Sequence, residues 1–408
     1  MGMKGRRRCD TSINTHLCST TTMAPGDHLV AGSDMNLEKL MEILAKNDRS
    51  YTLGTDPSKL KGIPSEKCIS AGKGFSSKIY RILLEADDGS HSVLVKIAGP
   101  QKMRHDDNDE VDLDKLEMIA SVHNREVAFY EFAKNNVPDD LLLVKYFHGT
   151  QMNVADGMQG LIVMEDLTGK MMKEYKLGQG VGVNAVLSIF DTLAVLQVRS
   201  LLHQEQIKEQ FQHNSKALHA IHSYVVYCCK ELEKRNLPWF TENISDKCQA
   251  NADPSNARQL LSPDAKYGDL GHVLVHGDLW PNNMIWQGNG GKPDLLAICD
   301  WQCTHAGNYT ADIAAVMAVS MDGDNRRANE ENMLGFYTKQ MNKNLEKHGI
   351  CTRLNLDTVR ASYKNSLNYA ILQLIMTVVT NPKDDVPLDG EEEGPLTKRL
   401  RTLVEDMF

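Results

Sequence analysis

The feature of this chain that most constrains its fold is a change of pattern near Asp166. Before it, short runs of alternating apolar and polar residues are separated by Gly- and Asp-rich turns. After it, the apolar residues recur mainly at helical spacing. Strands followed by helices favour an α+β fold, and 408 residues are enough for two lobes. We therefore predict an antiparallel-sheet N-lobe over residues 36–165 and a mainly helical C-lobe over residues 166–408.

The N-lobe is predicted to hold five strands and a long helix. Residues 67–99 have the pattern strand, Gly-rich turn, strand, Asp-Gly hairpin, strand, and the runs "LLLVKYFHGT" and "GLIVMEDL" supply two more strands. A short helix, "LEKLMEILAK", comes first. The long helix is expected at about 112–135, with apolar positions that include Leu116, Ile119, Val127 and Phe132.

The C-lobe is predicted to be helical over residues 184–235 and again from about Tyr309 onward, except for the polar run "PKDDVPLDGEEEGP". Residues 241–270 are rich in Asn, Asp and Pro, which predicts a loop there. Residues 1–35 are rich in Ser, Thr, Gly and Met and lack periodicity, so we expect a disordered tail. A mitochondrial presequence is the weaker alternative for this basic, acid-poor segment.

Composition excludes several classes of partner. A net charge of −9 argues against broad binding to nucleic acid or anionic membranes, and the apolar run "LNYAILQLIMTVV" is too short to span a bilayer. The nine cysteines are scattered and form no CxxC pair, so reduced thiols in a cytoplasmic protein are expected. The sequence leaves the oligomeric state open.

The segment "SAGKGFSSK" is the first candidate for a functional site. Gly72 and Gly74 lie between two predicted strands, where small residues let backbone N–H groups approach a phosphate closely. Gly-rich hairpins are also common as plain connections, so this segment alone does not decide between the two roles.

Lys96 lies in the apolar strand "SVLVKIAG", about twenty residues after the Gly-rich turn, where its ammonium could reach phosphates beneath that turn. A solvent-facing lysine is the simpler alternative for any single strand position. Glu126, on the following helix among apolar positions, is the best candidate to orient Lys96. Glu110, Glu117 and Glu131 are the alternatives and are more plausibly solvated.

The segment "VLVHGDLWPNNMIW" ends an apolar strand in a polar turn. Asp278 and Asn283 are five positions apart, and Asp300 follows seventeen residues later at the end of another strand. Oxygen donors of this kind suit Mg²⁺, so Asn283 and Asp300 are candidate ligands. Asp278 would then remain free to accept a proton from an attacking hydroxyl. His276 is expected to brace the turn through hydrogen bonds.

The pattern H-G-D-x-x-x-x-N, followed by a strand and an aspartate, resembles the catalytic loop and metal-binding acid of the protein-kinase-like superfamily. Gly277 replaces the arginine of protein kinases, as it does in small-molecule kinases. With "GKGFSSKIY", "REVAFYE", "VMEDL" and "ICDWQCTHAGNYTADIA", the chain resembles the ecdysteroid-kinase-like (CHK-kinase-like) family, related to choline kinases and aminoglycoside phosphotransferases. The resemblance covers residues 37–408.

The resemblance implies a two-lobed protein-kinase-like fold, ATP and Mg²⁺ as cofactors, and a small-molecule alcohol as substrate. Asp278 would be the catalytic aspartate, with Asn283 and Asp300 as Mg²⁺ ligands. The residues implied to bind the nucleotide are those of the phosphate loop, the lysine–glutamate pair and the hinge between the lobes: Gly72, Gly74, Ser76, Ser77, Lys96, Glu126, Met164, Glu165 and Leu167.

Two departures separate the chain from protein kinases. Ser77 occupies the place of the third glycine, and Trp301 and Gln302 follow the metal acid where Phe-Gly is usual; no A-P-E segment is present. Residues 200–265, including "SYVVYCCKEL" and "NLPWF", are expected to line the acceptor site or to be core. If they line it, their apolar character favours a hydrophobic alcohol, steroid-like or a xenobiotic conjugate. The alternative function is that of an inactive, ligand-binding pseudokinase.

Overall fold

The N-lobe is an antiparallel sheet flanked by helices. The structure, a computed structural model, describes residues 25–70, 77–99, 113–172, 175–268, 270–289, 292–387 and 390–408. The N-lobe elements are, in chain order, α1 (Leu37–Asn47), β1 (Ser65–Cys68), β2 (Ser77–Ala86), β3 (Gly89–Ala98), α2 (Leu113–Asn136), β4 (Tyr146–Thr150) and β5 (Leu161–Glu165). The strand order is β1-β2-β3-β5-β4, and every neighbouring pair is antiparallel.

Strand alternation explains how this sheet forms its core. The inward positions of β2 and β3 are apolar, mostly β-branched or leucine, and they pack against one face of α1. The residues buried there include Ile82, Leu84, Val93, Val95, Leu40 and Leu44. Asn36 begins α1, because its side chain accepts a hydrogen bond from the Lys39 amide. Helix α2 packs on the opposite face, so that the sheet is covered on both sides.

The predicted disordered tail is partly wrong. Residues 1–24 lie outside the described residues, but residues 25–35 are ordered in two short 3₁₀ turns. Val30 and Met35 are buried in the N-lobe core. The Ala31 amide and the His28 ring both contact the Glu66 carboxylate, at 2.9 and 3.0 Å. A few isolated apolar residues have no periodicity for sequence analysis to detect, yet they are enough to anchor this segment.

The C-lobe is mainly helical, with two small sheets. Its elements are α3 (Val183–Leu201), α4 (Gln204–Gln210), α5 (Ser215–Glu233), α6 (Glu242–Ala252), α7 (Pro254–Leu261), β6 (Val273–Val275), β7 (Met284–Asn289), β8 (Lys292–Ile298), β9 (His305–Gly307), α8 (Ala311–Ala315), α9 (Gly323–Lys347), α10 (Leu356–Thr380) and α11 (Pro395–Met407). Strand β6 pairs with β9, and β7 with β8. The predicted α+β, two-lobed fold is confirmed.

The loop predicted over residues 241–270 is wrong, because α6 and α7 occupy much of it. In α6 the buried residues Ile244, Cys248 and Ala252 recur every fourth position and form one apolar stripe. Asp253 begins α7 by accepting from the Ser255 amide, with Pro254 at the first helical position. The Asp and Pro that suggested a loop are therefore a helix-starting pair.

Helix α3 is long and apolar enough, by length and composition, to cross a membrane. In the structure 61% of its apolar window is buried, and its side chains pack in the C-lobe core. The same composition is expected of a central core helix.

The buried carboxylate of Asp166 connects strands β2 and β3 to the segment that follows β5. The Asp166 side chain is 4% exposed and accepts hydrogen bonds from Arg81 Nε at 2.6 Å and from Ser92 Oγ. It also accepts from the amide and hydroxyl of Thr168. Burial opposes the charge, but these donors lower the pKa of Asp166 to about 2.

We predict that Asp166→Ala lowers the free energy of unfolding by about 2 kcal/mol, because several charge-assisted hydrogen bonds are lost from a buried site. The depressed pKa means that this stabilisation is complete above about pH 4 and is lost as the pH falls toward 2. Urea denaturation at pH 7 measures the difference. Asp139→Ala is the control, because Asp139 is 85% exposed and lies 3.9 Å from Arg49; equal losses in both variants would contradict the prediction.

Candidate active site

The turn between β6 and β7 places an acid and an amide side by side. Asp278 lies three residues after the end of β6, and Asn283 ends the 3₁₀ turn Pro281–Asn283, which proline favours at its first position. Asn283 Nδ2 donates to the Asp278 carbonyl at 2.8 Å and to its Oδ2 at 2.9 Å. The amide oxygen of Asn283 is thereby turned away from Asp278 and is left available as a ligand.

Asp300 reaches the same place from the far end of the β7–β8 hairpin. Met284 pairs with Ile298, and the Cys299 amide donates to the Asn283 carbonyl at 3.0 Å, so the two strand ends are adjacent. Asp300 itself has a φ of +63°, in the left-handed region that residues other than glycine rarely adopt. This strained backbone directs its carboxylate toward the N-lobe.

Lys96 connects this hairpin to the N-lobe helix. Its Nζ lies 2.6 Å from Glu126 Oε2 and 2.7 Å from Asp300 Oδ1. Both Lys96 and Glu126 are buried. Burial alone would lower the pKa of Lys96, but the charges of Glu126 and Asp300 raise it well above its ordinary value. Lys96 is therefore a permanent cation at this site, and the predicted pairing with Glu126 is confirmed.

The oxygen donors present fit a magnesium ion. The ammonium of Lys96 occupies a cation's position against Asp300, and Asn283 lies on the adjacent strand end, where its backbone carbonyl accepts from the Cys299 amide. Carboxylate and amide oxygens are ligands that Mg²⁺ accepts, usually as one or two protein groups completed by phosphate and water. Within the described residues, no group of three or more His, Cys, Asp or Glu side chains forms an all-protein metal cage. The metal role of Asn283 and Asp300 stays a prediction.

The turn from His276 to Asn283 is held in place by two buried side chains, those of His276 and Asp312. His276 Nε2 lies 3.0 Å from the Cys299 carbonyl, and its Nδ1 accepts from the Asp278 amide at 3.3 Å. The predicted bracing role of His276 is thus confirmed, and burial lowers the pKa of its ring to about 4. The Asp312 carboxylate accepts from the amides of His276 at 2.7 Å and Gly277 at 3.1 Å. Sequence analysis missed Asp312, although an aspartate inside the apolar run "ADIAAVMAV" could have indicated it.

Helix α2 also contacts the segment that follows Asp300. The Phe129 ring stacks on Trp301 with centroids 3.8 Å apart and an interplanar angle of 6°. Arg125 donates to the Thr304 carbonyl at 2.9 Å. These contacts fix the helix that carries Glu126 relative to Asp300. They join residues far apart in sequence, and no local pattern indicates them.

Gly277 is required by its surroundings. Its φ is +82°, and a Cβ built on it would lie 2.6 Å from the Cys303 carbonyl. Its own carbonyl accepts from Gln373 of α10 at 2.9 Å. The arginine that protein kinases carry at this position could not be accommodated here without moving the backbone.

The remaining predicted nucleotide residues are only partly described. Gly72, Gly74 and Ser76 lie outside the described residues, and Ser77 begins β2. The hinge residues Met164, Glu165 and Leu167 lie at the end of β5 and just beyond it, and Met164 and Leu167 are buried. Their nucleotide role stays a prediction.

The alternative partners of Lys96 are engaged elsewhere or lie outside the described residues. Glu117 faces Lys216 at 3.4 Å, and Glu131 accepts from the Tyr146 hydroxyl at 2.5 Å. Glu110 lies outside the described residues. The structure therefore supports the choice of Glu126 over Glu117 and Glu131.

The apolar run in the segment expected to line the acceptor site is divided between core and surface. In "SYVVYCCKEL" the side chains of Val225, Cys228 and Cys229 are buried within the C-lobe, so they cannot contact an acceptor. Tyr224 and Tyr227 are exposed and lie side by side. Tyr369 of α10 is a better candidate, because it is half-buried and lies one helical turn before Gln373, which donates to the Gly277 carbonyl. Burial, then the charges of Cys303 and Asp278, raise the pKa of Tyr369.

Asp278 is held in conditions that disfavour its charge. Burial, followed by the negative charge of Asp300, raises its pKa to about 7 from an ordinary 3.8. The folded state therefore binds a proton more tightly than the unfolded state. This group costs stability increasingly as the pH rises from 4 to 7.

We predict that Asp278→Asn stabilises the metal-free protein at pH 8 by about 1 kcal/mol, because it removes a poorly solvated charge. At pH 3, where the carboxyl is protonated in both the folded and the unfolded protein, the difference between variant and wild type should nearly vanish. Urea denaturation in the presence of a chelator measures both values. A variant that is less stable than wild type at pH 8 would contradict this account.

Comparisons with known proteins identify the family. Residues 52–408 match the model of the DUF1679 family, described as "Uncharacterized oxidoreductase dhs-27". The chain belongs to this family. The Caenorhabditis elegans protein of that name is 26% identical over 341 residues, which are 78% of this chain and 40% of the relative. The chain thus spans less than half the length of that protein.

A second Caenorhabditis elegans relative, "Uncharacterized kinase-like protein D1044.1", is 21% identical over 314 residues, 74% of this chain and 79% of the relative. The predicted similarity to kinase-like proteins is confirmed. Among solved structures, the GDP complex of aminoglycoside 2'-phosphotransferase-IIIa aligns with 90% of this chain and 96% of its own, at 13% identity and a TM-score of 0.43.

Proposed function

We propose that this member of the DUF1679 family is an ATP-dependent kinase that phosphorylates a hydroxyl of a small molecule. One observation carries the proposal: Lys96, Glu126 and Asp300 contact one another, and Asp278 and Asn283 contact one another on the adjoining strand end. Residues from four separate segments are thus brought together. Their mutual contacts match the roles that phosphoryl transfer needs, namely a fixed cation, oxygen ligands for a metal and a base.

Lys96 would hold the nucleotide's phosphates, oriented by Glu126. A permanent ammonium with restricted freedom stabilises the charge that spreads over the transferred phosphoryl group. The chain between the lobes after β5, with Met164, Glu165 and Leu167, would hold the adenine. Bound Mg²⁺ would supply charge neutralisation between the phosphates, with Asn283 and Asp300 as its protein ligands.

Asp278 would orient the acceptor hydroxyl and take its proton. Because the pKa of Asp278 is raised to about 7, its carboxyl is well matched to exchange a proton near neutral pH. Asn283 holds one Asp278 oxygen, so the other oxygen can accept a hydrogen bond from the hydroxyl. The hydroxyl oxygen then forms the new bond to phosphorus as the bond to the leaving ADP oxygen breaks.

The acceptor we propose is a hydrophobic alcohol, steroid-like or a xenobiotic conjugate. Half-buried Tyr369, packed against the apolar cluster of Leu218, Ala257 and Leu261, supports an apolar surface beside Asp278. A cytoplasmic location and the lack of nucleic-acid and membrane partners belong to the same proposal, and they rest on charge and cysteine usage.

The second candidate is an inactive protein that binds nucleotide or ligand. The presence of all four polar residues at the cleft, Lys96, Asp278, Asn283 and Asp300, favours the active enzyme, because a binding module needs no base. The relative that is named an oxidoreductase is longer than this chain, and the match covers only 40% of it. Its name therefore does not assign oxidoreduction to this chain.

The test is transfer of labelled γ-phosphate from Mg·ATP into a fractionated metabolite extract. We expect a labelled small molecule with the wild-type protein and a loss of at least about a thousandfold with Asp278→Asn, since the base is removed while the nucleotide contacts remain. ATP affinity of Asp278→Asn should stay within about threefold of wild type. ATP binding without any labelled product would favour the inactive binder, and label in protein alone would indicate a protein kinase.

A further inference from the structure

The peptide that joins Gly277 to Asp278 sets the direction in which the acid leaves the backbone. Gly277 has a φ of +82°, and glycine lacks the Cβ that restricts rotation in other residues. Asn283 holds the Asp278 side chain and the Asp278 carbonyl, both of which come after this peptide. The peptide itself therefore needs contacts of its own to keep one orientation.

Gln373 of α10 supplies the shorter of two contacts to this peptide. Its Nε2 donates to the Gly277 carbonyl at 2.9 Å, whereas the Asp278 amide donates to His276 Nδ1 at 3.3 Å. The second contact is longer than the usual range of about 2.7–3.2 Å. It also comes from within the same turn, so it moves with the turn. The contact from Gln373 is the one that fixes the peptide relative to a helix of the C-lobe.

Helix α10 is in turn fixed to the element that carries Asp312. The Thr310 hydroxyl, just before α8, lies 2.7 Å from Ser362 Oγ and 2.8 Å from Ser366 Oγ, which are both on α10. All three side chains are buried. Asp312 is the second residue of α8 and accepts from two backbone amides of the turn. Helices α8 and α10 thus hold the turn together, Asp312 through N–H groups and Gln373 through a carbonyl.

A neutral donor suits this position better than a charged one. A lysine or arginine in place of Gln373 would put a positive charge next to the residue that precedes Asp278. Such a charge favours the ionised carboxyl and would lower its pKa, which would weaken it as a base. The half-buried amide of Gln373 fixes the backbone without adding a charge.

We propose that Gln373 is a positioning residue for phosphoryl transfer, because it fixes the Gly277–Asp278 peptide and so keeps the Asp278 carboxylate directed at the acceptor hydroxyl. The role in transfer rests on the proposed function, but the restraint on the turn does not. Without this donor the peptide has several orientations, and fewer molecules hold the base in line. Nucleotide binding stays intact, since Lys96 and Asp300 keep their own mutual contact.

The first experiment tests the restraint without any substrate. Hydrogen exchange of the ligand-free, full-length protein is followed by mass spectrometry in wild type, Gln373→Met and Gln204→Met. Methionine keeps the side-chain length and removes the donor. Gln204 is the matched control, because it is also half-buried and its Nε2 donates to the Leu270 carbonyl at 2.9 Å. We expect the peptide that covers residues 276–283 to exchange about tenfold faster in Gln373→Met only.

Two results would overturn the restraint: wild-type exchange of residues 276–283 in Gln373→Met, or equal acceleration in Gln204→Met. Exchange of α1, in the other lobe, reports whether each variant is folded. If α1 also exchanges faster in Gln373→Met, Gln373→Asn takes its place. Asparagine keeps the amide but is one methylene shorter and cannot reach the carbonyl, so the same results are expected of it.

The second experiment measures phosphoryl transfer from Mg·ATP to the labelled acceptor. We expect Gln373→Met to lower kcat about tenfold, with both KM values within about threefold of wild type, because alignment and not binding is lost. Gln204→Met should keep the wild-type kcat. A wild-type kcat in Gln373→Met, or an equal fall in Gln204→Met, would overturn the positioning role. Faster exchange in Gln373→Met, with no transfer by wild type to any acceptor, would reject the proposed function and leave only the restraint.

Discussion

The interaction on which the site depends is the ammonium of Lys96 held between Glu126 and Asp300, at 2.6 and 2.7 Å. It joins strand β3, helix α2 and the β7–β8 hairpin, so one side chain links both lobes. Taking three charges from water is expensive, and removing any one of them leaves the others poorly compensated. Removing the ammonium of Lys96 would therefore leave the carboxylates of Glu126 and Asp300 without their shared cation.

The rest of the cleft keeps these three elements in place. Phe129 stacked on Trp301, and Arg125 bound to the Thr304 carbonyl, hold α2 against the segment after Asp300. On the other side, the Asp312 carboxylate accepts hydrogen bonds from the backbone amides of His276 and Gly277. Because α2 is tethered independently of Lys96, a nucleotide could displace Lys96 from Asp300 without losing the position of Glu126. Such tethering of α2 would let Lys96 move from Asp300 to a phosphate while Glu126 stays in place.

Much of this arrangement could be predicted, because it is encoded in short spacings. Asp278, Asn283 and Asp300 lie in one strand–turn–hairpin unit, where sequence distance sets spatial distance. The pairing of Lys96 with Glu126 follows from strand and helix order. Asp312 could not be predicted in the same way, since it meets the turn from a distant segment. The error over residues 241–270 has a different cause: Asp253 and Pro254 favour both loops and helix starts, and only the buried stripe of α6 distinguishes them.

We propose that a metal–nucleotide complex binds where Lys96 contacts Asp300. Calorimetric titration of ATP with and without Mg²⁺, into wild type and Asp300→Ala, is the decisive measurement. We expect Mg²⁺ to tighten ATP binding to wild type by about tenfold or more, and to have little effect on Asp300→Ala, because the charged ligand is missing. An equal effect of Mg²⁺ on both proteins would contradict the claim that Asp300 binds the metal.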